Sequence, residues 1–251
     1  MLSIVFVGSG SKGNATLIKS NSTLIMIDDG LPKCRINKGL KLFDASISDI
    51  NAIFITHNHS DHIKGLEVLG DDLPLYAGVS TFPRGTKYNR IKPYKTISIG
   101  SIRITPIGVS HDAPNPLNYI IEDDDESIGY VTDTGYLSDK NLSLLENKTY
   151  YLLESNHDVS MELNSNRSKI LIDRVLSDKG HLSNAASAGY ACMLIGDKTK
   201  AIYLGHISED CNSEEKALST YKRIFKKKNI DFDSYEIIPT KQKEIVKGGS
   251  W

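Results

Sequence analysis

Short apolar runs separated by clusters of Gly, Ser and Asn fill much of the first half of the chain, and helically spaced apolar positions become common in the second half. The short runs predict strands, and the helical spacing predicts amphipathic helices. The predicted strands span residues 3–7, 15–19, 23–27, 52–56, 96–99, 102–107, 117–121, 127–132, 150–153, 201–204 and 235–238. The predicted helices span residues 35–43, 61–69, 137–145, 169–176, 184–195 and 214–227. Two β-rich halves, each closed by helices, predict an α/β fold, a four-layer αββα sandwich.

The length of 251 residues is compatible with one sandwich domain covering residues 1–251. Lys and Arg total 30, and Asp and Glu total 31, so the net charge gives no general attraction for nucleic acid or an anionic membrane. The acidic run 122–126 is expected to be a solvated hairpin tip. The basic run 222–228 is expected to be a solvated helix face, with phosphate contact as the alternative.

The cysteines predict the compartment. Cys34, Cys192 and Cys211 are odd in number, widely spaced and without a CxxC pair, which favours a reducing environment. The amino terminus has no basic segment before its apolar run, so it is expected to be a first strand rather than a signal peptide. No apolar stretch is long enough to span a bilayer. A cytoplasmic protein is expected.

Four potential metal ligands lie within six residues, between a predicted strand and a predicted helix. They are His57, His59, Asp61 and His62. On an extended or tightly turned loop the alternate residues His57 and His59 point the same way, while Asp61 and His62 turn toward a neighbouring position. One loop can therefore supply two metal ions. Imidazole with carboxylate suits zinc, and also manganese or iron.

Three further residues that can bind a metal follow predicted strands. They are His111, Asp133 and His206. Loops at strand ends can deliver such side chains to the rim of a sandwich. The pattern His-x-His-x-Asp-His, followed by a His, an Asp and a last His, resembles the metallo-β-lactamase superfamily.

This resemblance implies a centre with two divalent metal ions, zinc in the first place and manganese as the alternative. It implies that His57, His59 and His111 hold one ion, that Asp61, His62 and His206 hold the other, and that Asp133 bridges them. It also implies that Asp28 orients the ligand loop, although the adjacent Asp29 is an alternative. Two such ions about 3.5–4 Å apart acidify a shared water and clamp the oxygens of an in-line displacement. The expected enzyme is a metal-dependent phosphodiesterase.

A second set of residues is expected to act on the substrate together with the ligand Asp61. Ser183 is a suitable N-cap for a helix whose N-terminus can receive an anion, which places His181 where a phosphate would arrive. The pattern resembles the phosphodiesterase branch that includes transfer-RNA 3′-processing endonucleases. That similarity implies that Glu154 orients His181, which protonates the leaving oxygen or stabilises its charge. In the alternative, His181 only caps or packs.

Three more residues complete the predicted site. Asn184 opens the helix after Ser183, and Asn14 ends a Gly/Ser loop at 8–14 that could face a phosphate. An ordinary hairpin turn is an equally good interpretation of that loop. His157 is either a partner of the metal ligands or structural.

Six sequence segments together resemble the YycJ/WalJ group. They are residues 8–14, 110–113, 131–136, 154–158, 176–184 and 205–210. This group implies two alternatives: bacterial 5′→3′ DNA exonucleases that act in DNA repair, and phage anti-Pycsar enzymes that hydrolyse cyclic mononucleotides such as cyclic CMP and cyclic UMP. The near-neutral charge and the lack of an insertion at 70–98 or 158–169 favour the cyclic nucleotide as substrate, because duplex DNA requires a basic track. The expected product is a linear nucleoside monophosphate, and the expected role is immune evasion.

The same resemblance implies a homodimer whose partner supplies a lid over each pocket, with Tyr88 and Tyr94 as candidates for base stacking. Two other classes are less favoured. A flavodiiron-like electron carrier would be followed by a flavin domain, and a binding module would have no need of every open-site ligand.

Overall fold

A computed structural model describes residues 1–69 and 73–251. The strands are β1 (Ser3–Gly8), β2 (Ala15–Ser20), β3 (Thr23–Ile27), β4 (Ala52–Phe54), β5 (Leu75–Gly78), β6 (Asn89–Ile91), β7 (Ile97–Ile99), β8 (Ile102–Gly108), β9 (Leu117–Glu122), β10 (Ser127–Val131), β11 (Tyr150–Glu154), β12 (Ala201–Gly205), β13 (Glu236–Pro239) and β14 (Val246–Gly249). The α-helices are α1 (Lys33–Leu40), α2 (Ser60–Ile63), α3 (Leu66–Leu69), α4 (Asp139–Leu145), α5 (Val159–Leu163), α6 (Lys169–Val175), α7 (Asn184–Leu194) and α8 (Glu214–Lys227). Short 3₁₀ turns occupy Lys41–Phe43, Ile47–Asp49 and Phe232–Ser234.

The chain forms two compact units. The first unit contains residues 1–108, 113–127 and 241–251, and the second contains residues 109–112 and 128–240. A single domain over 1–251 stays a prediction.

The first unit is built on a sheet with the strand order β14-β1-β2-β3-β4-β5-β6. β1, β2 and β3 form the predicted antiparallel meander, and β4, β5 and β6 continue it in parallel. The buried core on one face includes Val5, Leu17, Met26, Ile36 and Leu40, so α1 covers that face. β7, β8 and β9 form antiparallel hairpins in the same unit.

The second unit contains the parallel strands β10, β11, β12 and β13 in that order. β11 and β12 are buried along their whole length, as is typical of parallel strands covered on both faces. The carboxyl ends of parallel strands meet at one edge of the sheet. Asp133, Glu154 and His206 lie at or just after the ends of three of these strands, so the topology brings them together.

The acidic run 122–126 is not simply a solvated tip. Asp123 and Glu126 are buried. Asp123 accepts a hydrogen bond from the Ser20 hydroxyl at 2.7 Å, and Glu126 accepts one from the Leu2 amide at 2.8 Å. The expectation was wrong for these two carboxylates because it treated them as water-facing, whereas they join the hairpin to strands of the first unit.

The predicted helix 61–69 is divided into α2 and α3. In a continuous helix the Gly65 amide would donate to the Asp61 carbonyl. Instead the Gly65 amide donates to the Asp29 carbonyl at 2.7 Å, and the Asp61 carbonyl accepts from the Asn14 amide at 2.8 Å. Tertiary hydrogen bonds therefore replace the helical one at this point.

Among the described residues, no helix is both long and apolar enough to cross a membrane. None of the three cysteines forms a disulfide.

Candidate metal centre

The ligand loop of the first unit follows β4 and continues into α2. His57 and His62 are buried, with ring centroids 4.1 Å apart. The His59 ring lies 4.5 Å from that of His57. Asp61 is partly exposed and its carboxylate lies 3.5 Å from His62 Nε2. The loop therefore brings the four predicted ligands of this unit together.

Asp28 holds this loop through its side chain. Its Oδ2 lies 2.8 Å from His62 Nδ1, and its Oδ1 accepts the Thr56 amide at 2.8 Å. A carboxylate can only accept, so Nδ1 of His62 carries the proton and Nε2 keeps the lone pair that a metal requires. Burial raises the pKa of Asp28, and the nearby His62 opposes that rise.

Asp29 has a different position. Its carboxylate is buried and has no hydrogen-bond partner among the described residues. Burial, and then the neighbouring Asp28, raise its pKa to about 7. The bond to the ligand imidazole thus belongs to Asp28, while Asp29 contributes its backbone, whose amide donates to the His62 carbonyl at 2.8 Å.

Asn14 and Gly30 fix the loop through the backbone. The Gly30 amide donates to the Asn14 carbonyl at 2.8 Å. A Cβ at Gly30 would lie 1.6 Å from the Asp61 carbonyl oxygen, so only glycine allows this approach. The Asn14 side-chain amide lies 3.0 Å from His62 Nε2 and 3.3 Å from Asp61 Oδ2. Asn14 is therefore beside the ligand atoms.

Glu154 is the corresponding carboxylate of the second unit. Its Oε1 lies 2.7 Å from His181 Nδ1 and 2.9 Å from His206 Nδ1. Its Oε2 accepts the amides of Thr134 at 3.0 Å and Leu182 at 3.1 Å. Burial opposes ionisation of Glu154, but His181 and the hydrogen bonds from His181 and His206 lower its pKa below the ordinary value. One ionised carboxylate thereby orients two imidazoles.

Asp133, Glu154, His181 and His206 offer ligand atoms that all lie within 4.8 Å of one another. Asp133 and His206 have left-handed backbone conformations, with φ of 48° and 53°, and Asp28 shares this feature with φ of 57°. Such conformations are uncommon outside glycine and concentrate at functional sites. Each turns the chain sharply at or just after the end of a strand.

His111 is buried, and its Nδ1 lies 3.2 Å from the Gly180 carbonyl oxygen. Burial lowers its pKa, so the neutral ring is favoured. Its ring lies 5.2 Å from that of His181. Asp112, the next residue, forms a two-point ion pair with Arg174, at 2.5 and 3.1 Å. No sequence pattern indicates this pair, because 62 residues separate the two partners.

The start of α7 has the predicted N-cap, since the Ser183 hydroxyl accepts the Ala186 amide at 3.1 Å. Asn184 is buried and bonds to Asn212 and to the Ser155 hydroxyl, so its side chain is engaged inside the unit. His157 is also buried, and its carbonyl accepts the Asn184 amide at 2.9 Å. Among the described residues, its Nδ1 has no hydrogen-bond partner.

Comparison with known proteins identifies the family. Residues 35–207 match the β-lactamase superfamily domain. The exodeoxyribonuclease WalJ of Streptococcus pneumoniae serotype 2 is 36% identical over 250 residues, covering 93% of each chain. The chain belongs to the metallo-β-lactamase superfamily.

Two further comparisons extend this result. The exodeoxyribonuclease YycJ of Bacillus anthracis is 34% identical over 255 residues, covering 96% of each chain. The crystal structure of the metallo-β-lactamase fold protein YhfI from Bacillus subtilis has a TM-score of 0.73 at 18% identity, covering 98% of this chain and 99% of that one. The predicted superfamily, its fold and the YycJ/WalJ resemblance are confirmed, as is the class of enzyme, a metal-dependent hydrolase of phosphodiesters.

The donors fit the divalent metals of this superfamily. Four buried imidazoles have Nδ1 beside an oxygen, which belongs to Thr56 for His57, to Asp28 for His62, to Gly180 for His111 and to Glu154 for His206. This arrangement directs Nε2 toward a metal and is the usual support for histidine ligands. Imidazole and carboxylate together suit zinc or manganese, and the donor set does not distinguish them.

Proposed function

We propose that the protein is a metal-dependent DNA exonuclease that removes nucleotides from 5′ ends during DNA repair. The observation that carries this proposal is the identity of 36% to an exodeoxyribonuclease across 93% of both chains. A second exodeoxyribonuclease at 34% identity supports it. This was the alternative from sequence, and the comparisons support it better than the cyclic nucleotide that the sequence favoured.

The proposed centre uses all seven predicted ligands. His57, His59 and His111 would hold one divalent ion, Asp61, His62 and His206 the other, and Asp133 both. The support is the fit of the donors within each unit, where the four loop residues lie together and Asp133 lies with His206. When bound, two such ions supply Lewis acidity and a nucleophile at neutral pH.

His181 and Glu154 would manage the proton of the leaving group. The Nδ1 proton of His181 is held by Glu154 at 2.7 Å, so a second proton must reside on Nε2 when His181 acts as a general acid. With 13% of its side chain exposed, His181 can reach a substrate and donate to the departing deoxyribose oxygen.

Two other predicted contacts have different support. Ser183 lies at the N-terminus of α7, where backbone amides favour an anion, and Asn14 lies beside His62 and Asp61. We keep both as proposed substrate contacts. We omit Asn184, because its side chain and its backbone amide are both engaged internally.

The test compares linear duplex DNA, labelled at either the 5′ or the 3′ end, with 3′,5′-cyclic CMP, UMP, AMP and GMP, in zinc or manganese. Wild type and His59→Ala are assayed at equal concentration. We expect stepwise release of nucleotides from 5′ ends by the wild type and none by the variant, because the variant lacks a metal ligand. Asn58→Ala, a change of the partly exposed residue between His57 and His59, serves as the loop control and should retain activity.

Rapid hydrolysis of cyclic nucleotides by wild type, with DNA untouched, would reject the exonuclease and restore the cyclic-nucleotide phosphodiesterase. Equal DNA degradation by His59→Ala would reject the metal centre as the source of the activity. A circular closed duplex distinguishes an exonuclease, which needs an end, from an endonuclease.

Two further predictions belong with this proposal. The family resemblance predicts a homodimer whose partner supplies a lid. Measuring the molecular mass in solution tests the homodimer. The cytoplasmic location is proposed from the odd number and wide spacing of the three cysteines, which form no CxxC pair.

A further inference from the structure

The first unit has a long segment with charge of one sign. From Leu73 to Gly108 the sequence contains basic residues but no Asp or Glu, although the whole chain has 31 acidic residues. All the cations of this segment are exposed. They are Arg84, Lys87, Arg90, Lys92, Lys95 and Arg103. The net charge of the chain conceals this segment.

Five of these cations have no carboxylate partner among the described residues, in contrast to Arg103, which pairs with Asp124 at 3.0 Å. The five are Arg84, Lys87, Arg90, Lys92 and Lys95, and we call them the basic edge. Consecutive members are two or three residues apart, so no more than about 11 Å of chain separates their Cα atoms. That spacing is close to the Debye length of about 8–10 Å at physiological salt, so their potentials overlap.

The basic edge surrounds the last strand of a sheet. β6 pairs with β5 in parallel and ends the strand order of the first unit. Lysines on an edge strand commonly prevent unwanted strand pairing. That role does not explain cations at 84, 87, 92 and 95, which lie outside the three residues of β6. The opposite edge strand, β14, has a single lysine, Lys247.

Aromatic residues accompany the cations. The Arg90 guanidinium lies over the Tyr88 ring, 4.8 Å from its centroid, and the Tyr88 hydroxyl donates to the Val79 carbonyl at 2.8 Å. Tyr88 is therefore a fixed support for Arg90 rather than a base-stacking residue. Tyr94 is 37% exposed and its amide donates to the Pro106 carbonyl at 2.7 Å. An exposed ring on a fixed backbone, between lysines, is suited to stacking on a nucleobase.

We propose that the basic edge binds the phosphate backbone of the DNA substrate, with Tyr94 stacking on a base. This inference rests on the proposed exonuclease function and adds a binding surface to it. Several cations in a row with an aromatic ring match the chemistry of a polynucleotide. A mononucleotide has too few charges to use them all.

The test uses two full-length variants with equal loss of charge. The edge variant carries Arg84→Gln, Lys87→Gln, Lys92→Gln and Lys95→Gln. The α8 variant carries Arg223→Gln, Lys226→Gln, Lys227→Gln and Lys228→Gln, which are exposed residues of the predicted solvated helix face. Each variant replaces one arginine and three lysines, and none of these residues is a proposed metal ligand or catalytic group.

The readouts are kcat and KM on a long duplex at several salt concentrations, and hydrolysis of bis(p-nitrophenyl) phosphate, a small diester. The edge variant should raise KM for DNA about tenfold or more near 0.1 M salt. The log–log slope of DNA binding against salt should weaken by roughly 0.9 for each phosphate that the variant no longer neutralises. Its small-diester activity should match wild type, which shows an intact fold and centre. Tyr94→Ala should raise KM for DNA in the same direction.

An edge variant with the KM and salt slope of wild type overturns the basic edge while the exonuclease remains supported. A wild type that hydrolyses the small diester but neither binds nor degrades DNA overturns the exonuclease, and the basic edge with it. The two failures are thus distinguishable.

Discussion

The ligands of the first unit and those of the second unit are supported in different ways. In the first unit they are contiguous in sequence, and Asp28 holds one imidazole while backbone hydrogen bonds from Asn14, Asp29 and Gly65 shape the loop. In the second unit they come from separate strand ends, and Glu154 holds two imidazoles by itself. Both units use a buried carboxylate to orient Nδ1, but Asp28 contacts one imidazole whereas Glu154 contacts two.

This difference predicts unequal sensitivity. A loop with several backbone hydrogen bonds can lose one side-chain hydrogen bond and keep its shape. Glu154 is buried and accepts hydrogen bonds from four donors. A substitution of this carboxylate therefore disturbs all four hydrogen bonds at once.

The largest effect is expected for Glu154→Gln. The introduced glutamine has an NH2 group in place of one carboxylate oxygen. In either orientation this group faces two donors, either the two imidazoles or the two backbone amides, so His181 and His206 lose their orientation together. We expect kcat/KM on DNA to fall by roughly 100-fold, and metal affinity to fall as well. Glu236→Gln, an exposed Glu of the same unit, is the control and should be neutral. A Glu154→Gln enzyme with wild-type kcat/KM would contradict the shared-carboxylate account.

A smaller effect is expected for Asp28→Asn. Asparagine tolerates the left-handed conformation of Asp28, so the substitution changes the carboxylate without straining the backbone. Only His62 loses its partner, and we expect a loss of roughly tenfold in kcat/KM, measured on the same DNA. Asp44→Asn, at an exposed left-handed position, is the matched control. If Asp28→Asn lowered kcat/KM more than Glu154→Gln, the proposed order of sensitivity of the two units would be reversed.

The smallest effect is expected for Ser183→Ala. Loss of this N-cap should lower the free energy of unfolding by about 1 kcal/mol. Ser213→Ala removes the equivalent cap of α8, where Ser213 accepts the Lys216 amide at 3.1 Å, and should cost a similar amount. Only Ser183→Ala should also raise KM for DNA, by a few-fold. Equal KM values in the two variants would show that Ser183 caps its helix and does not contact substrate.

The same contrast explains what the sequence could predict. His57, His59, Asp61 and His62 form a local motif, so their proximity follows from the chain itself. The joint role of Glu154 could not be predicted, because it requires β11 beside β12, with Glu154 opposite Gly205. The sequence linked Glu154 to His181 by resemblance and missed His206 as its second partner.

Other differences have local causes. The strands β5, β6 and β14, of three or four residues each, were missed, although β4, β7 and β13 are equally short and were predicted. The predicted helix 61–69 was divided because Asp29 and Asn14 take its hydrogen bonds. The basic edge was missed because the net charge was summed over the whole chain. Its position on an edge strand can be known only once the order of strands in the sheet is known.

The central proposal is that the predicted ligands hold two metal ions, and metal content tests it most directly. Wild type and His59→Ala would be purified, loaded with zinc or manganese, freed of loosely bound metal and analysed by mass spectrometry, with DNA hydrolysis measured on the same samples. The account predicts about two ions per wild-type chain, and about one with loss of activity in His59→Ala. Full activity in a wild type that retains one ion or none would contradict it.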